Sequence, residues 1–207
     1  MKQDKENREI RAIPALILEG NKQDITALFI HIKRADKEEK EKLLEVVAKQ
    51  VYLRKAVLSQ SEPDSILALF NLPAKQYRHE LEAVKTAEEI KKETKDFKSL
   101  IMGIGLHTGR ALISPVKNDV VHYTCLGDAV DLAKRLALKS DEVALSKAIY
   151  DKIGGQIKAK LSEKLSQSFG IPIYTLIKIS EREKYEPYIR EFVKKLKEEE
   201  AKQKKSK

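Results

Sequence analysis

The sequence predicts an α+β fold (an α/β sandwich). Its core is a ferredoxin-like β-α-β-β-α-β unit, with an antiparallel-rich sheet, helices on one face, and additional C-terminal strands and helices. Three observations predict it. Strand-like and helix-like patterns alternate along the 207 residues, the short turn signal SEPD joins two strand-like runs, and 42% of the residues are hydrophobic, enough for a core.

The first half of the chain supplies the opening elements of this core. Residues 25–32 are β-branched and aromatic, which predicts a buried strand. Asp36 and Glu39 form a D-x-x-E capping box, which predicts that a helix starts there. Residues 55–60 and 65–70 flank the turn signal and predict a hairpin. A long second helix should follow, with an apolar stripe made of Tyr77, Leu81, Val84 and Ala87.

The second half of the chain alternates strands with shorter helices. Residues 100–106 predict a strand, His107-Thr108-Gly109 a turn, and residues 110–114 the returning strand. A helix should begin after the Gly127-Asp128 corner. The remaining predicted elements are strands at 120–126, 142–145 and 171–179 and a short helix at 147–153.

We divide the chain into three parts: a lead-in at residues 1–22, the domain at 23–180, and a C-terminal amphipathic helix with a lysine-rich tail at 181–207. The apolar stripe of that last helix must be buried, either on its own domain or on a partner. The stripe consists of Tyr185, Tyr188, Ile189, Phe192, Val193 and Leu196.

Composition narrows the function classes. The net charge is +9, but 32 acidic residues are interspersed among 41 basic ones, which favours a solvated charged surface. With seven Tyr, five Phe and no Trp, a nucleic-acid-binding surface is not favoured. Cys125 is the single cysteine, so no intrachain disulfide forms and a cytoplasmic location is expected. No apolar run approaches the length of a membrane helix, so no membrane partner is expected.

Two segments carry a recognisable motif: GIGLHTGRALI at 103–113 and YTCLGDAVDLAKRL at 123–136. With the element order over residues 25–177, they resemble the G-I-x-x-H-T-G strand pair and the Y-T-x-x-G-D-x-V-N-x-A-x-R segment of class III adenylate/guanylate cyclase catalytic domains. The G-G-D-E-F hairpin of the related diguanylate cyclases is absent.

The resemblance implies a chemistry and a site. In that family the ribose 3′-hydroxyl attacks the α-phosphate and pyrophosphate leaves. Two carboxylates on neighbouring strands hold two metal ions, and an arginine stabilises the charge that builds on the phosphate. The two halves of the site come from opposite subunits of a dimer. The resemblance therefore implies a homodimer or a heterodimer with another cyclase-type domain, with ATP or GTP as ligand and Mg²⁺ or Mn²⁺ as cofactor if the domain is active.

Some motif positions are kept and others are changed. The resemblance places Asp64 at the second metal position, Thr124 at a base-reading position and Arg135 at the transition-state position. Three changed positions are His31 for the first metal aspartate, Gln60 for the base-reading lysine and Asp131 for the asparagine. At the phosphate loop, Arg34 replaces a glycine and Asp36 adds negative charge.

Plainer interpretations stand beside these roles. Asp64 is equally a turn residue after Pro63, and a histidine and an aspartate alone rarely make a metal site. Asp131 and Arg135 lie four residues apart and should form an ion pair on one helix face. In such a pair the guanidinium of Arg135 would be bound to Asp131 and could not contact a phosphate.

The favoured hypothesis is a catalytically degenerate cyclase-homology domain that acts as a regulatory or dimerisation module and needs no cofactor. The alternative is an active adenylate cyclase with an atypical metal site, or a heterodimer in which an intact partner gives both aspartates and this chain gives Arg135. A basic nucleic-acid-binding protein is a distant third.

Overall fold

The computed structural model describes residues 21–117, 121–180 and Glu191. Most of the predicted lead-in, and the predicted C-terminal helix apart from Glu191, lie outside the described residues. The strands are β1 (Asn21–Arg34), β2 (Val57–Glu62), β3 (Ser65–Phe70), β4 (Ile101–Lys117), β5 (Val121–Leu126), β6 (Val143–Ser146), β7 (Ile157–Leu161) and β8 (Ile173–Ile179). The helices are α1 (Lys37–Leu53), α2 (His79–Glu93), α3 (Asp128–Lys139), α4 (Lys147–Ile153) and α5 (Glu163–Phe169), with a 3₁₀ turn at Gly154–Gln156.

One eight-stranded sheet organises these elements. Its order is β2-β3-β1-β4-β6-β8-β7, and β5 pairs with the second half of β4. Only the β4–β6 pair is parallel among the described strands. The antiparallel-rich sheet is therefore confirmed, and β1-α1-β2-β3-α2-β4 is the predicted ferredoxin-like core.

Helices cover both faces of the sheet, so the prediction that they lie on one face is wrong. Side chains alternate along β1: Leu28 and Ile30 face the core under α1, α2 and α4, whereas Ala27 and Phe29 face α3. The buried stripe of α3 consists of three alanines and Leu136, and the small alanines let that helix lie close to the second face. Helix α5 packs on the same side through Leu165.

The predicted turn at residues 107–109 is also wrong, because β4 runs without a break through them. Their side chains bond to neighbouring strands: Thr108 Oγ1 donates to the Ile25 carbonyl at 3.1 Å, and His107 Nδ1 lies 2.8 Å from Ser146 Oγ. The nearby glycines serve helix packing, since a Cβ on Gly105 would lie 2.1 Å from the Ala133 carbonyl oxygen of α3. A glycine-rich strand thus resembled a turn in the sequence.

Smaller departures lie at the ends of elements. Tyr77 was predicted to belong to the apolar stripe of α2. This is wrong, because Tyr77 precedes the helix and is 91% exposed. The short β7 and α5 were not predicted, because five and seven residues give little periodicity. No helix in the described part of the chain is long and apolar enough to cross a membrane.

Candidate functional site

The structure brings His31 and Asp64 together at one end of the sheet. His31, near the end of β1, pairs with Ser65 at the start of β3. Asp64 occupies the β2–β3 turn, and its carbonyl accepts a hydrogen bond from the Ile32 amide at 2.8 Å. The two side chains that the sequence aligned with the metal positions are therefore neighbours in space.

The carboxylate of Asp64 is already engaged by a lysine. Lys40, in the second turn of α1, donates from Nζ to Asp64 Oδ1 at 2.6 Å. That hydrogen bond and the charge of Lys40 hold the pKa of Asp64 below its usual value, with a smaller contribution from His31. Sequence reasoning missed Lys40, because nothing in the sequence distinguishes it from the other lysines of α1.

His31 supplies an imidazole where the family has an oxygen ligand. Its Nδ1 is buried and has no hydrogen-bond partner. Within the described ranges, no group of three or more His, Cys, Asp or Glu side chains could hold a metal ion. Mg²⁺ demands a near-octahedral set of oxygens. One lysine-bound carboxylate beside an imidazole does not fit the two-metal arrangement.

The phosphate-loop position is filled by the protein's own polar groups. Asp36 caps α1, accepting from the Glu39 amide at 2.8 Å, which confirms the predicted helix start. The reciprocal half of the box differs, because Ser99 Oγ accepts from the Asp36 amide at 2.9 Å while Glu39 Oε2 accepts from the Ser99 amide at 3.0 Å. Arg34 Nε donates to the Ser99 carbonyl at 3.2 Å. Ser99 was missed because it lies 60 residues beyond Glu39 in the sequence.

The arginine of the motif points elsewhere. Arg135 is exposed on α3, and its guanidinium lies 5.1 Å from the ring centroid of Phe169 in α5. Asp131 is also exposed, and among the described contacts no ion pair joins it to Arg135, so the predicted i,i+4 pair is wrong. Nor do those contacts join Arg135 to His31 or Asp64 within one chain.

The two base-reading positions lie on separate hairpins. Gln60 is on β2 and its backbone pairs with Ile66, whereas Thr124 is on β5 and pairs with Ser114. Strands β2 and β5 approach each other within the fold. The roles of Gln60 and Thr124 in reading a base stay predictions.

Comparison with solved structures identifies the fold. A guanylate cyclase domain from Catenaria anguillulae, in complex with GTP, is 19% identical with a TM-score of 0.65, covering 76% of this chain and 98% of that one. The adenylyl cyclase CyaB from P. aeruginosa is 20% identical with a TM-score of 0.66, covering 77% and 96%. A dimeric guanylyl cyclase domain from Blastocladiella emersonii is 17% identical with a TM-score of 0.66, covering 78% and 99%.

Similarity is carried by three-dimensional structure. No protein-family model and no curated protein matches the sequence. The motif segments that suggested a cyclase lie on β4, β5 and α3, the elements that the packing of α3 against the sheet holds together. The resemblance is thus confirmed at the level of architecture: this chain has the fold of adenylyl and guanylyl cyclase catalytic domains.

Proposed function

We propose that this chain is a catalytically degenerate cyclase-homology domain that acts as a regulatory or dimerisation module in cyclic-nucleotide signalling in the cytoplasm. The observation that carries the proposal is the hydrogen bond between Lys40 and Asp64. The carboxylate kept at a metal position is held by an ammonium, and the other metal position is an imidazole.

Charge explains why this arrangement opposes catalysis. Phosphoryl transfer on a cyclase fold depends on positioning and on neutralising phosphate charge, and metal ions held by two carboxylates supply both. Here the single carboxylate is balanced by Lys40 at 2.6 Å. A divalent cation at Asp64 would have to displace that ammonium or accept its repulsion at short range.

The phosphate-loop position gives independent support. The Asp36 carboxylate and the Ser99 hydroxyl take up amide hydrogens at the start of α1, and Glu39 adds a second carboxylate there. Helix N-termini attract anions when their amides are free. At the N-terminus of α1 those amides are already bonded and two acidic side chains are present, so binding of a triphosphate is disfavoured there.

The purified chain should therefore make no cyclic AMP or cyclic GMP above background with Mg²⁺ or Mn²⁺. The measurement is cyclic-nucleotide production from ATP and from GTP, with Asp64→Ala as the matched control. Both proteins should give the same background signal. Robust turnover by the unmodified chain that Asp64→Ala abolishes would contradict the degenerate assignment.

A second candidate is catalysis within a heterodimer. It is favoured by Arg135, whose guanidinium is exposed and forms no ion pair with Asp131 in the described part of the chain. An intact partner would then supply both metal-binding aspartates, and Arg135 would complete the site. Such a complex would lose cyclase activity on Arg135→Ala and keep it on Asp64→Ala.

We also propose that the domain associates, with a second copy or with an intact cyclase domain. The structurally similar guanylyl cyclase domain from Blastocladiella emersonii has been solved as a non-canonical dimer and as a monomer, so a domain of this fold can pair. In this chain β5 pairs within the described sheet with β4 alone, and the Leu126 side chain at its end is 54% exposed. A strand edge that ends in an exposed leucine is suited to pairing with a partner strand.

Light scattering should give twice the chain mass for the full chain. A chain ending at Ser180 tests whether the predicted C-terminal helix contributes, because it removes residues 181–207. A dimer in both proteins would place the interface on the domain. Monomers in both, at high concentration, would leave only the heterodimer. Co-purification from the native cell without any cyclase-type partner would then end the association hypothesis.

A further inference from the structure

A polar groove lies at the end of the sheet opposite His31 and Asp64. Its volume is about 800 Å³, within the range of small-ligand sites. Gln23 and Asp24 at the start of β1 and Asn71 after β3 form one wall. Asp24 is seven residues before His31 on β1, so the groove is roughly 23 Å from the candidate metal position. It is a separate place on the molecule.

The floor of the groove is held by side-chain amides. Gln76 Nε2 donates to the carbonyls of Arg54 and Lys55, both at 2.8 Å, and Gln76 Oε1 accepts from the Asn71 amide at 3.2 Å. Asn71 Oδ1 accepts from the Gln76 amide at 2.6 Å, and Gln23 Nε2 donates to the Asn71 carbonyl at 2.7 Å. These bonds fix three segments of the chain against one another.

Backbone strain is concentrated at the same corner. Among the described residues, the non-glycine residues with positive φ are Lys55 at 53°, Asn71 at 72° and Arg78 at 69°. Gln76 bonds to the first two and lies two residues before the third. Conformations of this kind persist only where the surroundings impose them, and they concentrate at ligand sites and active sites. The hydrogen bonds of Gln76 hold Lys55 and Asn71 in this conformation beside the groove.

The walls carry an excess of positive charge. Three lysines and one aspartate line the groove, and Asp24 Oδ1 lies 3.7 Å from the Arg110 guanidinium. The charge of Lys152 is balanced by the carboxylate of the buried Glu80, which lies 2.6 Å from its Nζ, so the excess comes from the other two lysines. Lys22 and Lys75 form no ion pair with any described residue. Ammonium groups arranged in this way bind phosphate as point charges.

An aromatic ring stands at the rim. The side chain of Tyr77 is 91% exposed, and the Arg78 guanidinium lies 5.8 Å from its ring centroid. A large exposed ring beside lysines offers a stacking face to a planar heterocycle. Behind it, His79 is buried and lies 2.8 Å through Nδ1 from Thr26 Oγ1, which ties the start of α2 to β1.

We propose that this groove binds a mononucleotide, with the phosphate at Lys22 and Lys75 and the base on Tyr77. The site would serve as an effector site, since it lies at the end of the sheet remote from the cyclase-type cleft. This inference does not depend on whether the domain catalyses cyclisation. Its contacts are the lysines and the ring, whereas catalysis would depend on His31, Asp64 and a partner.

The test is calorimetric titration of the full chain with AMP, beside adenosine and inorganic phosphate. AMP should bind more tightly than either fragment, because only AMP engages both the lysines and the ring. Lys75→Glu and Tyr77→Ala should each weaken AMP binding about tenfold or more, because the first places a negative charge beside the phosphate and the second removes the stacking face. Both side chains lie on the surface, so neither change should disturb folding, which a thermal scan verifies.

Two controls separate this site from general attraction to a basic protein. Lys158→Glu on the exposed side of β7 makes the same charge change outside the groove and should leave the affinity unchanged. Arg135→Ala on α3 should also leave it unchanged. The proposal is overturned if AMP does not bind at millimolar concentration, or binds no better than phosphate. It is equally overturned if either control weakens binding as much as Lys75→Glu.

Discussion

Gly105→Ala should destabilise the domain by about 3 kcal/mol, because β4 and α3 touch at this residue. An added Cβ would lie 2.1 Å from the Ala133 carbonyl oxygen and 2.6 Å from the Ala137 amide nitrogen, both backbone atoms of α3. A flexible side chain could turn aside, but a helix backbone must move as a unit. For a domain of this size the melting temperature should fall by about 6–12 °C.

A matched control lies four residues along the same strand. A Cβ on Gly109 would meet nothing closer than His107 Nε2 at 3.4 Å, an ordinary contact. Gly109→Ala should therefore change the free energy of unfolding by less than about 1 kcal/mol. A small gain in stability falls within this range, because alanine lowers the conformational entropy of the unfolded chain. Urea unfolding of both variants measures the difference. Equal losses would mean that α3 does not approach β4 as closely as these distances state.

The same glycines mark the limit of sequence-based prediction of the fold. The strands and helices with a clear period were predicted within a few residues, as β1, α1, the β2–β3 hairpin and α4 illustrate. The glycines around His107-Thr108-Gly109 suggested a turn. In the structure, Gly103 and Gly105 instead leave room for the backbone of α3, a helix that begins more than 20 residues later. Such a requirement becomes visible only when both elements are in place.

A comparable limit applies to the face that each helix covers. The residues of α3 that meet the sheet are Leu136 and three alanines, Ala129, Ala133 and Ala137, a pattern that marks an amphipathic helix but not the face of the sheet that it covers. The alanines pack against Ile25 and Phe29 of β1, whose side chains point to the face opposite that of Leu28 and Ile30. The hydrophobic pattern identified the helix, but only the packing of small residues placed it on the second face.

The candidate site was predictable in part. His31 and Asp64 were expected to be neighbours from the motif alignment, and the β1–β3 register makes them so. Two further groups were not predictable: Lys40, which bonds to Asp64, and Ser99, which bonds to Asp36 and Glu39 at the phosphate-loop position. Lys40 is one lysine among many on a charged helix, and Ser99 reaches the start of α1 from the segment before β4. Local sequence does not encode which long side chain closes an ion pair.

His31→Asp combined with Lys40→Ala should create a site for Mn²⁺ that the unmodified chain lacks. The first change places a second carboxylate beside Asp64, and the second removes the ammonium that lies 2.6 Å from Asp64 Oδ1. Two carboxylates share a divalent cation well, whereas one carboxylate bound to lysine does not. We expect the double variant to bind Mn²⁺ about threefold more tightly than His31→Asp alone, a modest gain because the Lys40–Asp64 pair is exposed to solvent.

Metal binding should recover further than activity. Arg34 and Gln60 still depart from the cyclase pattern, and Asp36 and Glu39 still place carboxylates at the phosphate-loop position. The combined change with Asp131→Asn should give more cyclic nucleotide than His31→Asp alone, and the recovery of activity should stay partial. Titration of Mn²⁺ followed by calorimetry, with the cyclase assay in parallel, separates the two effects.

The control for the metal gain is Lys37→Ala in the His31→Asp background. Lys37 lies one turn before Lys40 on α1, its side chain is 92% exposed, and its Nζ is 4.0 Å from Glu41 instead of Asp64. Removing it lowers the net charge equally without freeing the Asp64 carboxylate, so the Mn²⁺ affinity should stay close to that of His31→Asp alone. If Lys37→Ala raised the Mn²⁺ affinity as much as Lys40→Ala, the gain would come from the lower net charge and not from freeing the Asp64 carboxylate. If His31→Asp raises the affinity in neither background, the alignment of β1 with the first metal position is wrong.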